Sequence, residues 1–249
     1  LHDVGEKAAG SWLILSKQAE AAKPQLKQYD EWGRRIDEIV VSEAWTKLEA
    51  AAATEGIVAT AFERKFKEHS RVYQMALLYL YHPSSAFFSC PLAMTDGAAR
   101  AIELHGSEAL KQKAFKHLTS RNPSEFWTSG QWMTERTGGS DVSGTTTIAK
   151  RVNDDHYKLY GAKWFTSATK SQMAMTLARI DDGSGKPGGL SLFYLEKNPD
   201  SSLTKEHKIY IEDYLRKHAG FKGHVKVGTS VEFSKDLIKQ AVEQSKKLT

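Results

Sequence analysis

Two short stretches of this chain combine residue types that suit a flat ligand with a polar edge. The first is Gln131-Trp132-Met133-Thr134-Glu135-Arg136-Thr137-Gly138-Gly139-Ser140-Asp141-Val142-Ser143-Gly144. A strand ending near Thr134 leads into a Gly-Gly-Ser-Asp turn. Paired glycines let the main chain come close to a ligand and enter conformations that side chains disfavour. The N–H groups exposed there, with the Thr134 and Ser140 hydroxyls, can bind carbonyl or phosphate oxygens. The second stretch is Tyr160-Gly161-Ala162-Lys163-Trp164-Phe165-Thr166-Ser167. A tryptophan ending a strand, with a hydroxyl two residues on and on the same face, offers a wall for an aromatic ring and a hydrogen bond for its edge. Taken singly, the first stretch reads equally well as an ordinary strand-to-turn junction. The second, alone, reads better as a core tryptophan beside a strand-end threonine.

Other chemistries find no support. No glycine-rich fingerprint of the dinucleotide type follows a strand. Gly183-Ser184-Gly185-Lys186 lacks the spacing of a phosphate loop and falls between expected strands, so it reads as a turn. The nine histidines show neither an HExxH pair nor ligand spacing with carboxylates, so no metal site is assigned. The single cysteine, Cys90, excludes a disulfide scaffold and a cysteine-based metal site, and suits a reducing compartment.

The elements that must position the two stretches emerge from periodicity. Residues 6–28, 36–54, 58–81, 94–105 and 107–119 are rich in Ala, Leu, Lys and Glu, with apolar residues three and four apart, and are expected to be helices. From Phe126 onward the pattern is that of strands: 125–134, 145–152, 156–164, 172–180 and 190–196, with turns at 153–155 and 181–189. Helices followed by strands predict an α+β fold, not alternating βαβ units. In the tail, a short helix is expected at 211–218, a strand at 225–233 and an amphipathic helix at 235–248.

Hydrophobic residues make up 40% and charged residues 26% of the 249, the balance of a globular protein. No apolar run approaches the roughly 18 residues of a membrane span. The net charge of +5 comes from 35 basic residues interleaved with 30 acidic ones, which gives no block of the kind that binds nucleic acid. A matrix protein, or one that binds anionic cofactors, would carry the same mild basicity.

Together the two stretches resemble the acyl-CoA dehydrogenase family. Met133-Thr134-Glu135, Gly138-Gly139-Ser140-Asp141-Val142 and Gly161-Ala162-Lys163-Trp164-Phe165-Thr166-Ser167 match its two flavin-side signatures. Tyr29-Asp30-Glu31-Trp32-Gly33-Arg34-Arg35-Ile36-Asp37 and Cys90-Pro91-Leu92-Ala93-Met94-Thr95 look like its AidB-like branch. The resemblance covers roughly residues 25–196. It implies an N-terminal helical domain (1–124), a small antiparallel β-barrel or sheet domain (125–197) and a divergent tail (198–249), with the family's C-terminal four-helix domain absent from this chain. It implies FAD as cofactor, contacted by Met133, Thr134, Gly139, Ser140, Trp164, Phe165 and Thr166. The Thr166 hydroxyl would meet the flavin N5 edge and the Thr134 hydroxyl the pyrimidine end. Ser140 would touch the arm of an acyl-CoA substrate and the FAD phosphates. Glu135 is usually structural in the family, so no catalytic residue is assigned. Trp132 stands where the family prefers a small residue.

Two functions are implied by the resemblance. One is α,β-dehydrogenation of an acyl-CoA to the 2-enoyl-CoA with FAD as hydride acceptor, incomplete in this chain for want of the domain that carries the base. The other is a catalytically inactive structural subunit of a larger, mitochondrial complex. The family setting favours a mitochondrial matrix location over a cytoplasmic one, a role in fatty-acid metabolism, and either a homo-oligomer or membership of a larger assembly. AidB-like relatives have been linked to DNA, but the scattered charge of this chain does not support nucleic-acid binding.

Overall fold

The computed structural model describes residues 1–152, 156–181, 183 and 189–196. They group into two compact units. One comprises Leu1–Gln25, Ile39–Gly130 and Lys170–Gln172; the other comprises Leu26–Glu38, Gln131–Thr169 and the described residues from Met173 onward.

The first unit is helical. Helices α1 (His2–Ala9) and α2 (Ser11–Ala21) break at Gly10 and stop short of Pro24, so the single helix expected over 6–28 is two helices followed by a strand. Helix α3 (Glu43–Glu55) opens on Ser42, whose hydroxyl accepts from the Trp45 N–H at 3.2 Å. It closes on Gly56, left-handed at φ 67°. That left-handed φ strains any side chain placed at Gly56. The helix expected over 58–81 is interrupted: α4 (Ala59–Glu63) and α5 (Ser70–Tyr81) are separated where Arg64 and Lys67 adopt positive φ. Helix α6 (Ser89–His105) starts earlier than its periodicity predicts. The segment expected as one helix over 107–119 is α7 (Glu108–Leu110) and α8 (Lys116–Leu118) flanking a π turn at Lys111–Phe115.

The core of this unit gathers Val4, Trp12, Leu48, Ala52, Ile57, Leu77, Tyr81, Phe88 and Leu92. Tyr81 is wholly buried, meets Trp12 edge to face at 5.4 Å and donates its hydroxyl to the Leu48 carbonyl at 2.9 Å. Thr95 supplies a polar bolt. Its buried hydroxyl donates to the Pro91 carbonyl (2.7 Å) and accepts the Ser129 N–H (3.0 Å), fixing the start of strand β3 (Ser129–Trp132) to α6.

The second unit includes a hairpin that helical periodicity hides. Strands β1 (Gln25–Tyr29) and β2 (Arg35–Val40) pair around a turn organised by Asp30. The Asp30 carboxylate accepts the N–H groups of Trp32 (2.9 Å) and Arg34 (2.8 Å) and the Arg34 guanidinium (2.6 Å), and Gly33 supplies the left-handed residue at φ 74°. The remaining strands are β4 (Ile148–Arg151), β5 (Tyr157–Tyr160), β6 (Met173–Asp181) and β7 (Leu190–Glu196). The sheet order is β3-β6-β4-β5, with β7 also pairing β6. Pairs β4–β5 and β6–β7 are antiparallel, but β4 and β6 run parallel, Ile148 opposite Arg179. The sheet is therefore mixed where a wholly antiparallel one is expected. The cause is the connection from β5 to β6, which carries the chain past β4 and sets β6 down on its far side. That connection holds Trp164, Phe165 and Thr166. Ala149, Leu159 and Ala178 form the inner packing of the sheet, with Tyr157, Phe193 and Leu195 against them.

The α+β order of helices first and sheet second is as the resemblance implies. The expected turn at 153–155 and all the elements expected in 198–249 lie outside the described residues.

Candidate functional site

The site is built on one buried ion pair. Glu135 has a side chain only 4% exposed, and Lys163 donates to its Oε1 at 2.7 Å from a side chain 12% exposed. The same carboxylate accepts the N–H (2.7 Å) and hydroxyl (2.7 Å) of Thr146 and the N–H (3.1 Å) and hydroxyl of Thr147. Burial works against the Glu135 charge. Lys163, the Thr147 hydroxyl and the Thr146 N–H outweigh it and hold the carboxyl below the usual carboxylate range. With five donors on two oxygens, Glu135 is a structural node, and it has no lone pair left for proton transfer.

Around this node the two sequence stretches meet. Glu135 and Gly138 exchange both main-chain hydrogen bonds, at 3.0 and 3.1 Å, so Arg136 and Thr137 form the tip of a tight turn. The Trp164 N–H donates to the Thr134 carbonyl at 2.8 Å, joining the end of the first stretch to the middle of the second. Gly139 packs against the Thr134 side chain so closely that a methyl group there would stand 2.9 Å from both Oγ1 and Cγ2. Gly161 does the same at the far end, where a methyl would lie 2.3 Å from the Thr147 hydroxyl oxygen.

The loop bearing the tryptophan is shaped by backbone and not by strand pairing. Strand β5 ends at Tyr160, so Trp164 does not sit at a strand end as its sequence context suggests. Phe165 and Ala168 take left-handed φ angles of 52° and 53°, which breaks the alternation that would have put Trp164 and Thr166 on one pleated face. Trp132 braces this loop. Its indole N–H donates to the Ser167 carbonyl at 2.9 Å, while Thr176 on β6 donates its hydroxyl to the Trp132 carbonyl at 2.5 Å. Asp141 caps the adjoining 3-10 turn through the Ser143 N–H at 2.8 Å, and Arg179 of β6 clasps the carbonyls of Ser143 and Thr145.

Of the expected contact residues, Met133, Thr134, Trp164 and Thr166 are half-buried, while Gly139, Ser140 and Phe165 are exposed, the last at 76%. The structure brings Thr134 into contact with both Gly139 and Trp164. No side-chain hydrogen bond among the described residues engages Met133, Thr134, Ser140 or Thr166, so three hydroxyls remain available to a ligand. Sequence reasoning did not pair Glu135 with Lys163, nor connect Arg136 to Trp164, whose ring centroid lies 5.6 Å from the guanidinium carbon. The available signal was the pair of charged residues embedded in otherwise apolar or small-residue runs.

A helical unit ahead of a sheet that presents these two joined turns has the build of the front part of an acyl-CoA dehydrogenase. The chain matches the adaptive response protein AidB N-terminal domain over residues 1–123 and the acyl-CoA dehydrogenase middle domain over residues 130–214. It belongs to the acyl-CoA dehydrogenase family, in the AidB-like branch. Acyl-CoA dehydrogenase family member 11 of Caenorhabditis elegans is 41% identical over 210 residues, which cover 81% of this chain and 34% of that protein. Among solved structures, the Bd2924 apo-form is 57% identical with a TM-score of 0.75, over 80% of this chain and 40% of the other. Caenorhabditis elegans ACDH-11 in complex with C11-CoA is 42% identical with a TM-score of 0.72, over 78% of this chain and 34% of the other. The chain therefore spans about a third of the length of these Caenorhabditis elegans relatives.

Proposed function

We propose that this chain forms the flavin-facing part of an acyl-CoA dehydrogenase, binding FAD for the oxidation of an acyl-CoA to its 2-enoyl-CoA. The observation that carries this reading is the Trp164 N–H bond to the Thr134 carbonyl, which places an indole wall next to a threonine with an uncommitted hydroxyl. A planar heteroaromatic with a polar rim suits such a donor set, and the close approach of Gly139 to Thr134 leaves main-chain N–H groups beside it for oxygens of the same ligand.

FAD, when bound, supplies the acceptor for the hydride that leaves the β-carbon of the acyl chain. The residues of this chain bind and orient. Met133, Trp164 and Phe165 offer apolar surface to the ring system, the Thr134 and Thr166 hydroxyls address its polar edge, and Gly139 and Ser140 address phosphate oxygens. Ser140 also faces the acyl-CoA arm. Glu135 is not the base for the α-proton, because its oxygens are already engaged by five donors. The C11-CoA held by the Caenorhabditis elegans relative supports acyl-CoA as the substrate class.

The test is an absorption spectrum of the purified chain before and after incubation with FAD and gel filtration. A stoichiometric flavin band co-eluting with the protein is expected. A folded chain that retains no flavin at high FAD overturns the reading.

A further inference from the structure

Arg136 and Lys163 are two cations that flank the site, and they are used differently. Lys163 is withdrawn from solvent and consumed by Glu135. Arg136, one residue after Glu135 in the chain, stands exposed at the tip of the turn, with its guanidinium carbon 5.6 Å from the centroid of the Trp164 indole. The dipeptides Glu135-Arg136 and Lys163-Trp164 are therefore coupled twice, acid to base inside the fold and cation to aromatic ring at its surface. A third bond, from the Trp164 N–H, reaches the adjacent Thr134 carbonyl. The main-chain bond and the buried ion pair fix where the Trp164 backbone lies. Neither one fixes the tilt of its ring, since a side chain rotates about bonds that both leave free. Phe165 meets the indole only edge-on, at 5.9 Å, and is itself largely exposed.

We propose that Arg136 is a positioning residue for the ligand wall: its guanidinium, held over the indole, sets the orientation of Trp164 and thereby the affinity of the site for FAD. The affinity half rests on the function proposed above; the orientation half does not. Arginine suits the task because its planar, weakly hydrated guanidinium stacks on an indole, where a lysine ammonium makes a looser contact. The turn that carries it is pinned by the two Glu135–Gly138 bonds, so its backbone is already placed beside the indole when the contact forms.

The experiment is a double-mutant cycle on the full 249-residue chain, read in two ways. The near-ultraviolet circular dichroism of Arg136→Ala is compared with that of the unsubstituted chain, and the same substitution is repeated in a Trp164→Phe background. FAD affinity is measured in parallel by quenching of flavin fluorescence. The proposal expects a dichroism change on Arg136→Ala that disappears in the Trp164→Phe background, with partial recovery in Arg136→Lys. It expects FAD binding weaker by about two- to five-fold in Arg136→Ala, the size of an exposed cation–π contact, again with partial recovery by lysine. An unchanged dichroism spectrum, or a change that persists without Trp164, overturns the orientation half. Equal FAD affinity of Arg136→Ala and the unsubstituted chain overturns the affinity half. If the unsubstituted chain binds no FAD, the proposed function fails and the affinity half fails with it, while the dichroism cycle still decides the orientation half.

Discussion

The Lys163 ammonium lies 2.7 Å from Glu135 Oε1 with both side chains nearly withdrawn from water, and this contact fastens the residue before Trp164 to the turn before the glycines. Removing one member of such a pair leaves the other buried and charged, which costs roughly 3–5 kcal/mol. Glu135→Gln is therefore expected to destabilise the chain by about that amount, measured by urea unfolding. Glu135→Gln combined with Lys163→Met should recover part of the loss, because no uncompensated charge remains.

The same group gives a pH dependence with a defined sign. The Glu135 carboxyl is held below its ordinary value in the fold, so its contribution is complete above the unfolded carboxylate pKa, about 4.3. It is lost as the pH falls through the lower folded value. In Glu135→Gln the acid limb of the stability profile should flatten, which thermal melts between neutral and acid pH would show.

Glu49 predicts the opposite. Burial pushes its pKa up, and Lys170 only partly offsets this. Its carboxyl therefore favours the fold when protonated, below the unfolded value, and that contribution is lost as the pH rises through the raised folded value. Glu49→Gln is expected to raise the melting temperature at neutral pH, with the difference from the unsubstituted chain vanishing near about pH 4. A difference that stays constant across that range would contradict the assignment.

Gly139→Ala would push a methyl group to 2.9 Å from Thr134 Oγ1 and Cγ2. The threonine must turn, misdirecting the hydroxyl offered to the ligand. FAD affinity should fall about three- to ten-fold, the worth of one hydrogen bond. Thr134→Ala should lose a similar factor, and the double substitution should lose no more than either alone. Additive losses would mean that Gly139 acts on the ligand independently of Thr134.

Trp132→Phe removes the indole N–H that holds the Ser167 carbonyl at 2.9 Å. The expected loss is about 1 kcal/mol, and the loop from Trp164 to Lys170 should become easier to cleave in limited proteolysis. A cleavage pattern unchanged from that of the original chain would show that the loop is held by other bonds.

The sequence by itself determined the class of the molecule. Apolar residues at helical spacing in its first half and strand patterns in its second were enough for an α+β fold, because burying a stripe or a face imposes those periods whatever the neighbours are. The two stretches around Thr134 and Trp164 were legible because glycine pairs, hydroxyls and a tryptophan carry their chemistry in their residue types. The hairpin of β1 and β2 was not legible in the same way. Arg35–Val40 abuts the Ala-rich α3, and a helical reading runs through it until the Asp30 turn is seen to bind the Trp32 and Arg34 N–H groups. The parallel pairing of β4 and β6 was equally hidden, since strand order depends on which side of β4 the connecting loop passes, and local patterns do not record that. Only the tertiary structure decided that Glu135 belongs to Lys163, Thr146 and Thr147. It alone showed that two left-handed residues lift Trp164 and Thr166 off any strand, and that Arg136 lies over the indole. The reason is physical: contacts between residues about 28 positions apart depend on how the intervening chain is routed, and routing is settled by the packing of the whole sheet.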